Sequence, residues 1–332
     1  MKAALLPDRG VVKVGGEPAR GFLNGLFTAD IGRVTPEQPC FAALLSPQGK
    51  IMADGIVAEA PAADGGGFFI DCPRALAKTL VDKLNFYKLR APVTVEDLSE
   101  ALGVLALWGG QGVTDYGLVY PDPRLPALGS RVMLPPHLAQ EAAADLGAAL
   151  VEPQSYEAHR IALGIPRGGL DFSYGDAFPH ETDMDQLHGV DFAKGCYVGQ
   201  EVVSRIEHRG SARNRVVPIA YDGYAPDAGA PVTAGDKSVG TFGSSAAGRA
   251  LAMLRLDRVA DALAAGTPLV AGGASGFLSL NAVLASSLGK LISLVWKAAW
   301  GGFFAAVIAV TYHDLRVAKE GLTTEQIASV FD

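Results

Sequence analysis

Strand-length apolar runs, each closed off by glycine or proline, recur through the first 273 residues, and they fix the fold class before any motif is considered. Cys40 to Leu45 and Ile51 to Ala58 read as two strands joined by the turn Ser46-Pro47-Gln48-Gly49-Lys50. The glycine-rich stretch Ala62 to Gly67 is a turn before the strand Phe68-Phe69-Ile70-Asp71, and Val93 to Val95 and Val104 to Trp108 are further strands. Helical spacing appears between them: in Gly21 to Phe27, in Arg74 to about Leu84 with Leu76, Leu80 and Leu84 on one face, and in the alanine-rich Leu138 to Leu150. Strands and helices mix without a strict βαβ rhythm, so the class is α+β. Later, Val216 to Tyr221, Pro231 to Thr233, Ser238 to Phe242 and Ala250 to Arg255 form a small β-rich module ending near Gly273.

Beyond that point the composition changes. From Gly276 to Val310 the only charges are Lys290 and Lys297, and 291–310 is a mostly apolar run of 20 residues. That is the length that spans about 30 Å of hydrocarbon. The sequence therefore leads us to expect a hydrophobic helical tail over 276–332 with a membrane span at 291–310; a buried core helix is the alternative. The start, MKAALLPDRGVVKV, has no apolar signal region, so the globular part is expected in the cytoplasm, tethered to membrane by the tail. A net charge of −7 gives no global pull toward nucleic acid. The 3 cysteines, Cys40, Cys72 and Cys196, lie far apart, which argues against a disulfide scaffold or a structural zinc site. Nor can one chain offer the four thiolates of a cubane, so no permanent iron–sulfur cluster is expected.

The stretch richest in chemistry is Asp191-Phe-Ala-Lys-Gly-Cys-Tyr-Val-Gly-Gln-Glu201, continuing to Arg205. Gly195 and Gly199 flank the thiol and allow a tight backbone path around Cys196. If the segment is extended, Lys194 and Cys196 point the same way and the ammonium favours the thiolate. Gln200-Glu201 then opens a helix whose next turn presents Arg205. Read alone, a single cysteine near a lysine is more often an inert core thiol.

The string Lys194-Gly195-Cys196-Tyr197-Val198-Gly199-Gln200-Glu201 resembles the K-G-C-Y-x-G-Q-E signature of YgfZ-type proteins. These are folate-binding proteins implicated in assembling or repairing iron–sulfur enzymes, tRNA-modifying ones included. Further segments fit the same family in order: Gly21 to Asp30, Ala42 to Ile51, Arg160 to Pro166, Phe178 to Leu187 and His208 to Arg215. The resemblance covers about residues 10–273. It implies an aminomethyltransferase (T-protein)-like core of two intertwined subdomains over 1–212, then a small β-barrel over 213–275 that is cut short in this chain. Tetrahydrofolate or a one-carbon derivative would sit in the central opening, with Cys196 near its mouth.

Carried onto this sequence, Glu181 falls where the pterin-facing carboxylate belongs. Asp183 stands where such sequences often have Asn, and an ionised Asp only accepts hydrogen bonds. Asp54 matches one acid of the aminomethyltransferase pair, whose other position is Ala53. Asn24 and Thr28 would line the same cavity, and Tyr197, Gln200, Glu201 and Arg205 complete the folate-side set. Arg205, His208, Arg209, Arg213 and Arg215 suggest either a solvated rim or an anion site for a polyglutamyl tail. No aromatic residue interleaves with them, so direct RNA binding is not supported. The function implied is an accessory protein with client iron–sulfur enzymes as partners, Cys196 acting as a redox thiol or a transient cluster ligand. A folate-dependent aminomethyltransferase or demethylase is the alternative.

Overall fold

The computed structural model describes residues 1–209, 212–221, 223–272 and 277–279. The first two strands, β1 (Lys2–Leu6) and β2 (Arg9–Gly15), are separated by only Pro7-Asp8, yet they enter different sheets. Strands β3 (Cys40–Leu45), β4 (Ile51–Glu59), β5 (Phe68–Pro73) and β6 (Thr94–Asp97) join β2 in an antiparallel sheet of order β3-β4-β5-β2-β6. Strands β7 (Gly103–Trp108), β8 (Leu118–Pro121), β9 (Ser130–Leu134) and the two-residue β10 (Ala149–Leu150) join β1 in order β10-β1-β7-β9-β8. The early crossing of the chain between sheets makes the two halves of the core interdependent.

The largest cluster of buried side chains takes residues from both sheets, among them Leu6, Val11, Phe41, Ile56, Val104, Trp108 and Met133. Helices α1 (Ala19–Asn24) and α2 (Arg74–Lys88) cover the other face of the first sheet through Ala19, Leu23, Leu80 and Leu84. Helix α3 (Ala139–Asp145) covers the outer face of the second with Ala139, Ala142 and Ala143. Strand β7 is thus buried on both faces, which explains why Gly103–Trp108 is an unbroken apolar run rather than an alternating one. The alanine-rich helix is shorter than its composition suggests, because Gly147 at φ +65 ends it and lets the chain return as β10.

Charges are also buried between the sheets. Asp71 on β5 is fully buried and accepts from Arg9 Nε (2.6 Å), from Arg131 and from the Tyr120 hydroxyl (3.0 Å). Arg131 reaches on to Asp122 (3.1 Å), which also binds Arg124 (2.6 Å). Burial pushes these carboxyls up, but the flanking guanidiniums win and hold both below the usual aspartate range.

Helix α4 (Pro153–Ala162) follows, then α5 (Gln200–Arg209) leads into the barrel. Its strands are β11 (Asn214–Tyr221), β12 (Pro231–Ala234), β13 (Lys237–Ala246), β14 (Arg249–Arg255), β15 (Leu269–Ala271) and β16 (Phe277–Ser279), with α6 (Leu256–Ala264) inserted. The order β11-β14-β13-β12-β15-β16 is closed. Ala220 and Tyr221 pair with Ser279 and Leu278, so β16 completes the ring. This corrects the expectation of a barrel cut short: residues 277–279, read as the start of a helical tail, form its closing strand. A short apolar run has no periodicity with which to tell strand from helix. The proposed span 291–310 lies outside the described residues, and among the described residues no helix is long and apolar enough to cross a membrane.

Candidate functional site

The loop before α5 is braced at several points and leaves one thiol exposed. Asp191 Oδ1 accepts from the backbone N–H groups of Ala193 (2.8 Å) and Lys194 (3.1 Å), fixing the loop's entry. Lys194 then turns inward, and its ammonium donates to the carbonyls of Asn24 (2.8 Å), Phe27 (2.6 Å) and Ala29 (2.7 Å). The first is the last carbonyl of α1, free because the helix ends there, and the other two belong to the segment that follows it. Tyr197 also points inward, is 8% exposed, and lies in the main core with its ring centroid 5.2 Å from the Lys194 ammonium. Burial pushes its hydroxyl up to about 12. Gly199, at φ +82, sits against the β3–β4 turn, where a Cβ would come 2.6 Å from the Ser46 carbonyl and 3.1 Å from Gly49 Cα. Between these anchors Gly195 and Cys196 are left at the surface.

Cys196 is thereby the exposed member of the three cysteines; Cys72 is buried and Cys40 half-buried. Burial pushes the Cys40 and Cys72 thiols up to about 12. The expected pairing of Lys194 with Cys196 gives way to an anchoring role. Three carbonyls engage the ammonium, and burial lowers its pKa against the pull of Asp30. Lys194 and Cys196 do not share a face because the loop is irregular, and side-chain alternation holds only along an extended strand.

Asp54 on β4 accepts from the Tyr174 hydroxyl (2.7 Å) in a crevice of about 30 Å³ between the sheets, lined also by Arg9, Arg131, Tyr156 and Gly168. That is room for one or two waters. The Tyr174 ring lies against Gly168, where any Cβ would clash with it, and packs edge-on against Phe172 at 5.3 Å. Glu181 lies on the other side of the segment Gly168–Ala177, in an open hollow of about 460 Å³ shared with Lys50, Phe172, Asn214 and Phe242. Its oxygens accept from the Phe178 N–H (2.9 Å) and the Asn214 amide (3.0 Å). Asp171 pins the segment between core and barrel: it accepts from Arg160 (3.0 Å) and from the Ser244 N–H and hydroxyl (both 2.7 Å).

The residues singled out from sequence therefore do not converge on one cavity. Asp54 and Glu181 line different hollows, and Cys196 lines neither. Asn24 and Thr28 are local structure rather than cavity wall: Asn24 Oδ1 accepts from the Ile31 N–H (2.9 Å), and the fully buried Thr28 hydroxyl donates to the Gly189 carbonyl (2.5 Å) while accepting from the Ala43 N–H. Gln200 opens α5, where Glu201 pairs with Arg205 (2.6 Å) on an exposed face. Asp183, at φ +59, binds Arg215 (2.7 Å); burial pushes its carboxyl up to about 7 against the pull of that guanidinium. Arg215 also binds Asp185 (2.8 Å), so the expected basic rim is largely neutralised at Arg205 and Arg215. Tyr174 was not foreseen: one tyrosine in a polar stretch carries no periodic or motif signal.

The fold is that of the glycine-cleavage aminomethyltransferases. The structure of aminomethyltransferase T of the glycine cleavage system from Bartonella henselae superposes with a TM-score of 0.66, covering 85% of each chain at 16% identity. Residues 213–283 match the family described as CAF17, C-terminal beta-barrel domain. The mitochondrial iron-sulfur cluster assembly factor IBA57 of Mus musculus is 30% identical over 290 residues, covering 76% of this chain and 77% of its own length. The IBA57 homolog of Mycosarcoma maydis is 34% identical over 232 residues, covering 66% of this chain and 57% of its own. The chain belongs to the IBA57 family of iron-sulfur cluster assembly factors. It spans little more than half the length of the Mycosarcoma relative. The expected cytoplasmic location with a membrane tether is not supported, since no described helix can cross a membrane and these relatives are named as mitochondrial.

Proposed function

We propose that this protein supports the assembly or repair of iron–sulfur enzymes by presenting the Cys196 thiol to a partner, and that it binds tetrahydrofolate or a one-carbon derivative. The observation that carries the first part is the exposure of Cys196 between two inward anchors, Lys194 and Tyr197, with Gly199 locking the loop. A thiol held at the surface on a braced loop can bond a partner-held cluster, or exchange with a partner's disulfide, without unfolding its own surroundings. The YgfZ-type string supports the same reading, and tRNA-modifying enzymes are among the clients it suggests. The folate part rests on that resemblance together with the open hollow beside Glu181, which is of ligand size.

The test uses the full chain. Calorimetric titration with tetrahydrofolate and 5-formyltetrahydrofolate is expected to give saturable binding that weakens in Glu181→Ala. Activation of an apo iron–sulfur enzyme supplied with ferrous iron, sulfide and thiol is expected to depend on the protein and to be lost in Cys196→Ser. Binding that is not seen with folded wild type refutes the folate part alone; full activation by Cys196→Ser refutes the thiol part alone. A folate-dependent aminomethyl transfer is the second reading, favoured by the Asp54 carboxylate facing the inter-sheet crevice. It calls for turnover of an aminomethyl donor that survives Cys196→Ala.

A further inference from the structure

Helix α2 ends in a feature that folding alone does not explain. Phe86 is 72% exposed and Leu89 86% exposed, three residues apart at the tip, while Leu80 and Leu84 one turn earlier are buried. Leu89 caps the helix at φ 47 and ψ −104, a conformation that favours glycine. A leucine there meets both a backbone penalty and an apolar exposure. Charge is unusual at the same place. The run Lys83-Leu-Asn-Phe-Tyr-Lys-Leu-Arg-Ala-Pro92 holds three cations and no acid on a chain of net −7. Lys83, Lys88 and Arg90 enter no ion pair among the described residues, whereas Lys78 and Asp82, one turn back, pair with each other at 3.0 Å.

We propose that the α2 tip is a docking surface for an acidic protein that offers an apolar socket to Phe86 and Leu89. Charge complementarity selects the partner: the local surplus of three cations steers an acidic face to the tip, and the two apolar side chains supply contact area once it arrives. A protein fits better than an anionic bilayer, because a bilayer meets a wide area of a predominantly acidic surface, whereas a socket meets the tip alone. This inference is independent of the thiol and folate readings, since none of their residues lies on α2.

The full chain carrying Phe86→p-benzoylphenylalanine is irradiated in an extract of its own cells, and adducts are identified by mass spectrometry. The same is done with Lys83→Glu, Lys88→Glu and Arg90→Glu added, and with the photoprobe moved to the exposed Tyr224 of the barrel. The expected result is a main adduct with a protein of acidic isoelectric point, formed from residue 86 and not from residue 224, and reduced at least tenfold by the charge reversals. These side chains are exposed or half-buried, so an unchanged thermal midpoint is expected to show that the variants fold. An adduct with lipid, with a second copy of this chain or with a basic protein overturns the proposal. So does an adduct indifferent to the charge reversals, or none at all.

Discussion

The sharpest test of the site is Lys194→Met, which keeps the aliphatic stem over Tyr197 and removes the ammonium. In the structure that ammonium donates to three carbonyls, those of Asn24, Phe27 and Ala29, and the residue is only 9% exposed. Hydrogen bonds from a charged donor each contribute about 1.5–3 kcal/mol, but they are not additive, and methionine is cheaper to bury than an ammonium. A net loss of about 3 kcal/mol is the reasonable figure, and for a folded unit of this size it lowers the melting midpoint by about 6–12 °C. The thiol should respond differently. Were Lys194 to stabilise the Cys196 thiolate by one pKa unit, its removal would cut the thiolate fraction near pH 7 about tenfold. The observed geometry instead directs the lysine to the three carbonyls. Alkylation of Cys196 by iodoacetamide, followed by mass spectrometry well below the new midpoint, is therefore expected to stay within about threefold of wild type. A midpoint within about 2 °C of wild type, combined with a tenfold slower alkylation, would refute the anchoring role and restore the activating one.

Other perturbations follow from the same geometry. At pH 8 the native protein is expected to take up label at Cys196 only and the denatured protein at all three cysteines, because burial holds the Cys40 and Cys72 thiols up near 12. Their raised pKa values also mean that stability contributed below about pH 8.5, the unfolded thiol value, drains away as pH rises toward 12, which an alkaline melting series reads. In acid the sign reverses. Asp71 and Asp122 have depressed pKa values, so their contribution is present above about pH 4 and is lost as pH falls through the native values. Asp71→Asn leaves Arg9 without its carboxylate and Arg131 with Asp122 alone, and is expected to cost about 3–5 kcal/mol in urea unfolding. Gly199→Ala, at φ +82 and 2.6 Å from the Ser46 carbonyl, is expected to cost about 1–3 kcal/mol in the same assay. Tyr174→Ala empties the place against Gly168 and widens the crevice at Asp54; tighter tetrahydrofolate binding by calorimetry is expected if the pterin enters there, and unchanged binding assigns it to the Glu181 side.

How much of this was legible in the sequence depended on whether the signal was local. Strand β3 and the turn to β4 could be read directly, because a short apolar run and the turn residues Pro47 and Gly49 act within a few positions of each other. Helix α2 ran one turn past its last buried leucine, since nothing in Asn85-Phe86-Tyr87-Lys88 stops a helix before the left-handed Leu89. The strands β10 and β16 were missed for the opposite reason: two or three residues carry no period, and pairing with distant partners creates them, whereas the helix expected over Leu138 to Leu150 forms as α3 and only its end was misplaced. In the loop before α5, spacing suggested side-chain placements that the fold does not adopt. Spacing alone put Lys194 beside Cys196, but the carbonyls of Asn24, Phe27 and Ala29, some 170 residues earlier in the chain, make a deeper well for an ammonium than a thiol does. The same holds for Asp54, whose partner Tyr174 is 120 residues away. What the motif encodes most strongly is therefore a scaffold. Lysine, tyrosine and the second glycine are each used to fasten one short loop to the core, and the cysteine is the residue they leave free. Three of the eight positions are fastened to the core or to the neighbouring turn and the thiol is left outward, which is the arrangement the proposed encounter with a partner requires; a thiol working inside the core would require the reverse pattern.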